Sequence, residues 1–156
     1  MPDKLERMLQ LVGDFFDVKN DPDQLKVTEG DVEKLNKIHS ACMSEYNEGD
    51  GPIVWILLIP TTEGIMKRFL AKEISETQLL KETPLNVKYD AIYLCSASVL
   101  PEYRRKGLAK KLGYEAITKI MKDHPIKALF YWSFSPEGQS FAERASEELH
   151  LPLFKR

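Results

Sequence analysis

Five cations surround a single glycine in the stretch Leu100–Leu112, which reads LPEYRRKGLAKKL. A strand-like run precedes it, Pro101 ends that run, and an amphipathic helix pattern begins a few residues later. The first turn of such a helix leaves backbone N–H groups without partners and carries the positive end of the helix dipole. Gly107 and Ala109 keep the approach to these donors unobstructed. The spacing therefore predicts a cradle for a phosphate or pyrophosphate group.

The charge of this segment contrasts with that of the rest of the chain. Residues 101–122 carry seven Lys or Arg against two Glu, whereas the whole chain has a net charge of −2. A basic segment on an otherwise acidic protein favours a compact anionic ligand over a long nucleic acid. We therefore expect no nucleic-acid partner. A basic, solvent-exposed helix face without a ligand is the alternative interpretation.

Length and composition are those of an ordinary soluble protein with one domain. The chain has 156 residues, 43% of them hydrophobic, and we interpret it as a single domain in which residues 1–22 form a helical extension. The longest apolar run, Ile53–Ile59, is far shorter than the roughly 20 residues that span a bilayer, so no membrane partner is expected. Cys42 and Cys95 form no CxxC pair and the three histidines lack metal-ligand spacing. We expect no metal and a reducing, cytoplasmic location.

Hydrophobic periodicity and turn signals divide the chain into helices and strands. A helix is expected to begin at Thr28 or Asp31 and to run to about Tyr46. Later a strand–helix–strand unit has a crossover long enough to imply two parallel strands. The expected segments are helix 4–16, strand 25–28, helix 28–46, strand 53–59, helix 61–82, strand 91–100, helix 107–122, strand 127–134, helix 135–149 and strand 151–154.

The glycine-containing stretch matches neither the P-loop pattern GxxxxGK[ST] nor the dinucleotide pattern GxGxxG. It carries instead Arg104-x-x-Gly107-x-Ala109 after an aliphatic strand. The segment Ser98–Leu112, SVLPEYRRKGLAKKL, resembles the acyl-CoA-binding motif [QR]-x-x-G-x-[GA] of the GNAT acyltransferase superfamily, where it follows a strand ending V-x-P-x-Y-R. The resemblance is closest over residues 90–122 and extends more loosely to residue 149.

The resemblance implies a mixed α/β fold with a central parallel βαβ unit and helices on both faces. It also implies acetyl-CoA, or another acyl-CoA, as co-substrate. The acyl group would pass to a primary amine, on a small molecule or a peptide, by direct attack in a ternary complex. A non-catalytic acyl-CoA-binding or regulatory module is the alternative, and a homodimer is compatible with the family. The CoA-binding residues carried over are Ser98, Val99, Leu100, Arg104, Arg105, Lys106, Gly107, Leu108, Ala109 and Lys110.

The same resemblance indicates candidates for the two proton transfers. Tyr93 stands where family members often carry a glutamate base on the motif strand, and Ser146 stands where they often carry a tyrosine that protonates the thiolate. A phenol is a poor base at pH 7, so Glu45 or His39 acting through water are alternatives. The helical pattern at residues 61–82 departs from the usual hairpin, which leaves the acceptor undefined.

Overall fold

The computed structural model of the protein describes residues 3–19, 28–133 and 135–156, with the backbone alone for residues 12–19. Of the expected strand 25–28, only Thr28 lies within the described residues. A short 3-10 turn at Pro101–Tyr103 precedes the fifth helix. The elements of the described residues are α1 (Lys4–Lys19), α2 (Glu29–Ile38), β1 (Met43–Glu48), β2 (Gly51–Thr61), α3 (Glu63–Leu70), α4 (Glu76–Glu82), β3 (Ala91–Val99), α5 (Leu108–Asp123), β4 (Ala128–Tyr131), α6 (Pro136–Leu149) and β5 (Leu153–Lys155).

The strands form one mixed sheet in the order β1-β2-β3-β4-β5. β1, β2 and β3 pair in antiparallel fashion. β4 joins β3, and β5 joins β4, in parallel, with α5 and α6 as the connecting helices. Most residues of β2 are buried, and because successive side chains of a strand face opposite sides, both faces of β2 are covered along most of its length, with Trp55 and Leu57 only half-buried. The predicted mixed α/β fold with a parallel βαβ unit is confirmed.

Most helices begin where the sequence predicts, at residues whose side chains cap the free amides of the first turn. Thr28 accepts a hydrogen bond from the Asp31 amide, and the Asp31 carboxylate accepts one from the Thr28 amide, which completes a capping box. Ser75 caps α4 within a second capping box. Ser135 caps α6 and Pro136 occupies its first turn, where a missing N–H costs nothing.

The predicted extension of α2 to Tyr46 is wrong. α2 ends at Ile38, because His39 is extended, and residues 43–48 pair with β2 as the edge strand β1. The spacing of Ile38, Cys42 and Tyr46 fits a helix, but the turn at Gly49 lets this segment fold back on a long apolar strand instead. Cys42 is buried by tertiary contacts and Tyr46 is exposed, so the two residues share no helix face.

The helical segment between β2 and β3 is confirmed as α3 and α4. It covers the start of β3, since the Phe69 ring of α3 lies 4.8 Å from the Tyr93 ring and 5.9 Å from the Phe130 ring. Tyr93 and Phe130 are opposite each other in β3 and β4. α3 and α4 are therefore positioned at the place where these two parallel strands meet.

Candidate functional site

The two parallel strands β3 and β4 separate after three paired residues. β3 runs for nine residues, but β4 pairs only with Ala91, Ile92 and Tyr93. The edge of Leu94–Val99 that faces away from β2 has no strand partner among the described residues. The result is a fork whose open side is a line of backbone N–H and C=O groups.

The register of β2 and β3 shows which groups line this open edge. The Leu100 N–H donates to the Ile53 carbonyl at 3.0 Å, so these two residues form a hydrogen-bonded pair. In an antiparallel ladder the next pair, Val54 and Val99, is then non-hydrogen-bonded. Val99 and, two residues earlier, Ala97 therefore direct their N–H and C=O groups to the open edge.

Ser98, by the same alternation, and the N–H of Leu100 instead face β2, whereas the Leu100 carbonyl accepts from the Tyr103 amide; both residues are in the predicted CoA-binding set. Sequence reasoning missed Ala97, because the direction of a backbone amide depends on a register that one strand alone does not reveal. The Val99 carbonyl accepts a hydrogen bond from the Arg104 Nε at 3.1 Å. Its N–H group has no hydrogen-bond partner among the described residues, so within the predicted set Val99 offers an available donor at the fork.

The predicted phosphate cradle follows the end of β3. Gly107 is the N-cap of α5 in the left-handed conformation, with φ +73°, and Arg105 has φ +63°. Within the described part of the chain, the backbone N–H groups of residues 105–110 form no hydrogen bond. A Cβ on Gly107 would meet no atom of the described residues within 4 Å, so among these residues the space beside this glycine is open. The turn has the backbone geometry of an anion site, and anion binding there stays a prediction.

The cationic side chains of the motif differ in whether they already pair with another residue. Lys110 forms an ion pair with Glu148 of α6 at 2.5 Å, and the Lys106 ammonium lies 5.4 Å from the centre of the Tyr103 ring. Arg105 is exposed and forms no ion pair with a described residue. Arg105 and Lys106 are therefore the side chains with charge to offer at the cradle, whereas Lys110 connects α5 to α6.

Helix α1 contacts the other side of this turn. Arg7 Nη2 lies 2.5 and 2.6 Å from the two carboxylate oxygens of Glu102, and this hydrogen bonding lowers the pKa of Glu102. The Lys4 ammonium lies 5.6 Å from the centre of the Tyr103 ring. The N-terminal helix therefore contacts the residues between β3 and the cradle.

A buried polar cluster lies at the fork itself. Tyr93 is fully buried, and its hydroxyl donates a 2.5 Å hydrogen bond to Glu76 Oε2. The Cys95 thiol donates to the same oxygen at 3.5 Å. Burial raises the pKa of Tyr93 well above its usual value, and Cys95 and Glu76 add to that shift. Tyr93 is thus protonated and a hydrogen-bond donor at neutral pH, and the carboxyl group of Glu76 is the acceptor that the cluster shares.

Sequence reasoning missed Glu76. It stands in the first turn of α4 with 3% of its surface exposed, although an acidic residue at that position ordinarily lies on the surface beside the positive end of the helix. No local pattern distinguishes the two cases. The Arg156 guanidinium lies 4.4 Å from the Phe69 ring and 4.3 Å from the Trp132 ring, and its charge partly offsets the shift at Tyr93.

Ser146 is hydrogen-bonded near the start of β5 rather than to the open edge of β3. Its hydroxyl donates to the Leu151 carbonyl at 2.5 Å, in the turn between α6 and β5. The carbonyl of the next residue, Pro152, accepts from the Leu129 amide at the start of β4. Val99 is at the opposite end of β3. The structure therefore does not bring Ser146 next to Tyr93 through any hydrogen bond, and the role of Ser146 as proton donor stays a prediction.

The two alternative bases lie in different places. His39 Nε2 is 2.7 Å from Asp123 Oδ2, at the C-terminal end of α5, roughly 24 Å along the helix from the cradle. Glu45 lies on β1 opposite Trp55, which is itself opposite Ser98 on β3. Glu45 therefore shares a row and a sheet face with a residue of the motif, and His39 does not.

A depression of about 510 Å³ adjoins the end of β4 and the start of α6. Its walls are polar and include the capping residue of α6. The lining residues are Ser133, Ser135, Pro136, Gln139, Ser140 and Glu143.

The sequence model of the Acetyltransferase (GNAT) family matches residues 64–145, which include the fork, the cradle and both parallel connections as far as α6. The chain belongs to the GNAT acetyltransferase family. The fold of this GNAT protein agrees with that membership, since a five-stranded mixed sheet carries the motif turn between β3 and α5. No curated protein sequence and no solved structure matches the chain.

The described residues also contain neither a membrane-spanning helix nor a metal-binding cluster. No helix there is long and apolar enough to cross a membrane. No group of three or more His, Cys, Asp or Glu side chains in the same residues is placed to hold a metal ion.

Proposed function

We propose that this GNAT protein transfers an acetyl group from acetyl-CoA to a primary amine. The observation that carries the proposal is the continuity between the open edge of β3 and the unpartnered amides of residues 105–110. The pantetheine arm of acetyl-CoA requires backbone partners for its amides, and the pyrophosphate that follows the arm requires hydrogen-bond donors. Both are offered here in the same order along the chain.

In this proposal the pantetheine amides pair with the backbone of Ala97 and Val99. The pyrophosphate accepts hydrogen bonds from the amides that follow Arg105, on the left-handed turn made by Gly107, while the side chains of Arg105 and Lys106 neutralise its charge. Leu108 and Ala109 then form the floor of the cradle. The remaining members of the predicted set, Ser98, Leu100, Arg104 and Lys110, hold the strand, the turn and α5 in place.

The chemistry is a direct acyl transfer. The amine nitrogen attacks the thioester carbonyl carbon, a C–N bond forms, the C–S bond breaks, and CoA leaves as a thiolate. A backbone N–H at the open edge, that of Ala97 or Val99, stabilises the negative charge that develops on the carbonyl oxygen. Because the transfer is direct, neither Cys42 nor Cys95 serves as a nucleophile. Burial raises the pKa of Cys42 to about 12, which leaves that thiol inert.

The proton of the attacking amine goes to the polar cluster at the fork. We assign Glu76 as the proton acceptor and Tyr93 as the residue that positions it, since the Tyr93 hydroxyl already donates to Glu76 Oε2. Cys95 is half-buried and donates to the same oxygen, so it is the most exposed of the three residues. Ser146 remains the sequence-based candidate for protonating the thiolate.

The test is release of the CoA thiol from acetyl-CoA in the presence of a panel of amines, with calorimetry of CoA binding in parallel. Saturable CoA binding together with amine-dependent thiol release supports the proposal. CoA binding without thiol release from any amine would support the alternative, a non-catalytic acyl-CoA-binding module. Absence of CoA binding would contradict both.

A further inference from the structure

One face of the sheet is half open in its middle. Trp55 and Leu57 of β2 are half-buried, and each has a half-buried serine directly opposite on β3, Ser98 and Ser96. Met43 of β1 is half-buried opposite Leu57. Directly opposite residues of an antiparallel pair point to the same face. We call the surface formed by these five residues the middle groove.

Both ends of the same face are closed. The next row on one side consists of Ile53 and Leu100, with 0% and 1% of their surfaces exposed. The next row on the other side consists of Ile59 and Tyr93, both at 0%. The middle groove therefore runs across the strands, from β1 over β2 to β3, and one of its ends is the open edge where the thioester is proposed to lie.

A carboxylate marks the other end of the middle groove. Glu45 lies opposite Trp55, and its oxygens accept hydrogen bonds from Trp55 Nε1 at 3.0 Å and Asn47 Nδ2 at 3.2 Å. These contacts fix the carboxylate but leave its charge unbalanced, since Glu45 forms no ion pair with any described cation. Two strand spacings of about 4.8 Å separate Glu45 from Ser98, or roughly 10 Å.

This arrangement defines the chemistry of an acceptor. We propose that the acceptor is an aliphatic diamine, an inference that rests on the proposed acyl transfer. The reacting amine of the diamine lies at the open edge of β3, and its second ammonium binds Glu45. The chain between the two nitrogens would cross the apolar surface of Trp55 and Leu57. The indole also attracts a cation that passes over its face. An amine with an anionic far end would meet repulsion from Glu45.

The inference is tested by calorimetry of α,ω-diaminooctane and octylamine on the CoA-saturated protein at neutral pH. The two amines have the same chain length, so apolar contact is matched and only the second ammonium differs. We expect the Kd of the diamine to be about three- to tenfold lower, the range that an exposed ion pair and a cation–π contact provide. Glu45→Gln should remove this difference. Glu48→Gln, a carboxylate of the same strand outside the middle groove, should keep it.

Equal affinity of the two amines, absence of saturable binding of either, or an unchanged preference in the Glu45→Gln protein would overturn the inference. The result is separable from that for the proposed function. Acetyl transfer to octylamine without a preference for the diamine contradicts the diamine alone. Glu45-dependent binding of the diamine, with no acetyl transfer to any amine, contradicts the acyltransferase activity alone.

Discussion

At its start β3 is paired on both sides, whereas at its end it is paired on one side only. Around the start, polar groups have partners: the Tyr89 hydroxyl donates to the Pro84 carbonyl at 2.6 Å, and the Tyr89 amide donates to His124 Nδ1 at 3.3 Å. The His39 ring is hydrogen-bonded to the Asp123 carboxylate, next to His124 in the chain. Around the end, the backbone donors of Val99 and of residues 105–110 have no such partners among the described residues.

The difference separates stability from binding. Groups whose hydrogen bonds are complete contribute to the folded state, and removing one leaves its partner unsatisfied at a cost of about 1–3 kcal/mol where it is buried. Donors that face solvent carry no such penalty and stay available for a ligand. Substitutions at the start of β3 should therefore change stability and leave CoA affinity unaltered, and substitutions at the end should do the reverse.

The largest effect on CoA binding is expected from Gly107→Glu. The open space in front of this residue would receive a carboxylate, which would repel a pyrophosphate, and we expect calorimetry to show a loss of CoA affinity of at least about 100-fold. Gly107→Ala is the matched control, because it imposes the same left-handed strain, about 1–2 kcal/mol, without charge or bulk. Wild-type affinity in the glutamate variant would mean that the anion binds elsewhere.

The next effect concerns the cluster at the fork. Glu76→Gln keeps the shape but removes the base, so we expect turnover to fall by about 10²–10⁴-fold with CoA affinity unchanged. Tyr93→Phe should lower turnover less, because it releases the carboxylate without removing it. Because burial raises the pKa of Tyr93, we expect no loss of activity from its ionisation up to about pH 10.

Steady-state rates with one amine across pH, beside calorimetry of CoA, measure both variants. Unaltered turnover in the Glu76→Gln protein would move the proton acceptor away from the fork and make this cluster a part of the core. Equal losses in both variants would indicate that the hydrogen bond, rather than the carboxylate, is what matters.

A smaller effect is expected from pH at the start of β3. Burial, with the charges of Lys88 and His39, lowers the pKa of His124, while Asp123 opposes this shift. Protonation would place a hydrogen on Nδ1, which accepts from the Tyr89 amide. The unfolded chain therefore binds this proton more readily, and stability present above about pH 6.5 is lost as pH falls below it.

Urea unfolding at pH 7.5 and pH 5.5 tests this expectation. His124→Gln supplies an acceptor that does not titrate, so its midpoint should fall less between the two pH values than that of the wild type. CoA affinity at pH 7.5 should be the same for both. Identical pH dependence in the two proteins would assign the acid sensitivity to other groups.

The smallest effect on turnover is expected from Ser146→Ala. A general acid accelerates the departure of a good leaving group by about 10²-fold or less, the low end of the usual range. The Ser146 hydroxyl also already donates to the Leu151 carbonyl. Loss of that hydrogen bond should also cost about 1 kcal/mol of stability. A change in stability with unaltered turnover would make Ser146 a structural residue of the turn before β5.

The sequence predicted the parts of the site that are local. The R-x-x-G-x-A spacing located the cradle, because a glycine with positive φ, a helix N-terminus and the preceding strand are all written in neighbouring residues. The strand–helix–strand order likewise predicted the parallel pairing of β3 and β4. Helix starts were predictable for the same reason, since a cap such as Ser75 lies next to the amides that it serves.

The parts that depend on distant residues were not predictable. Glu76 reaches Tyr93 only because α3 and α4 pack on the start of β3, and a surface glutamate would look the same in sequence. Ala97 was missed because its direction follows from the register with β2. The error at residues 43–48 has the same origin, since pairing with β2 overrode a helical spacing that was real but weak.

Amide NMR spectra recorded during titration with acetyl-CoA test most directly whether CoA binds at the open end of β3, because they report on both ends of this strand at once. We expect saturable shifts at Ala97, Val99 and residues 105–110, and little change at Ala41 and Tyr89, whose amides donate to histidine rings. Saturable shifts confined to other parts of the molecule, or a spectrum that acetyl-CoA leaves unchanged, would contradict this expectation.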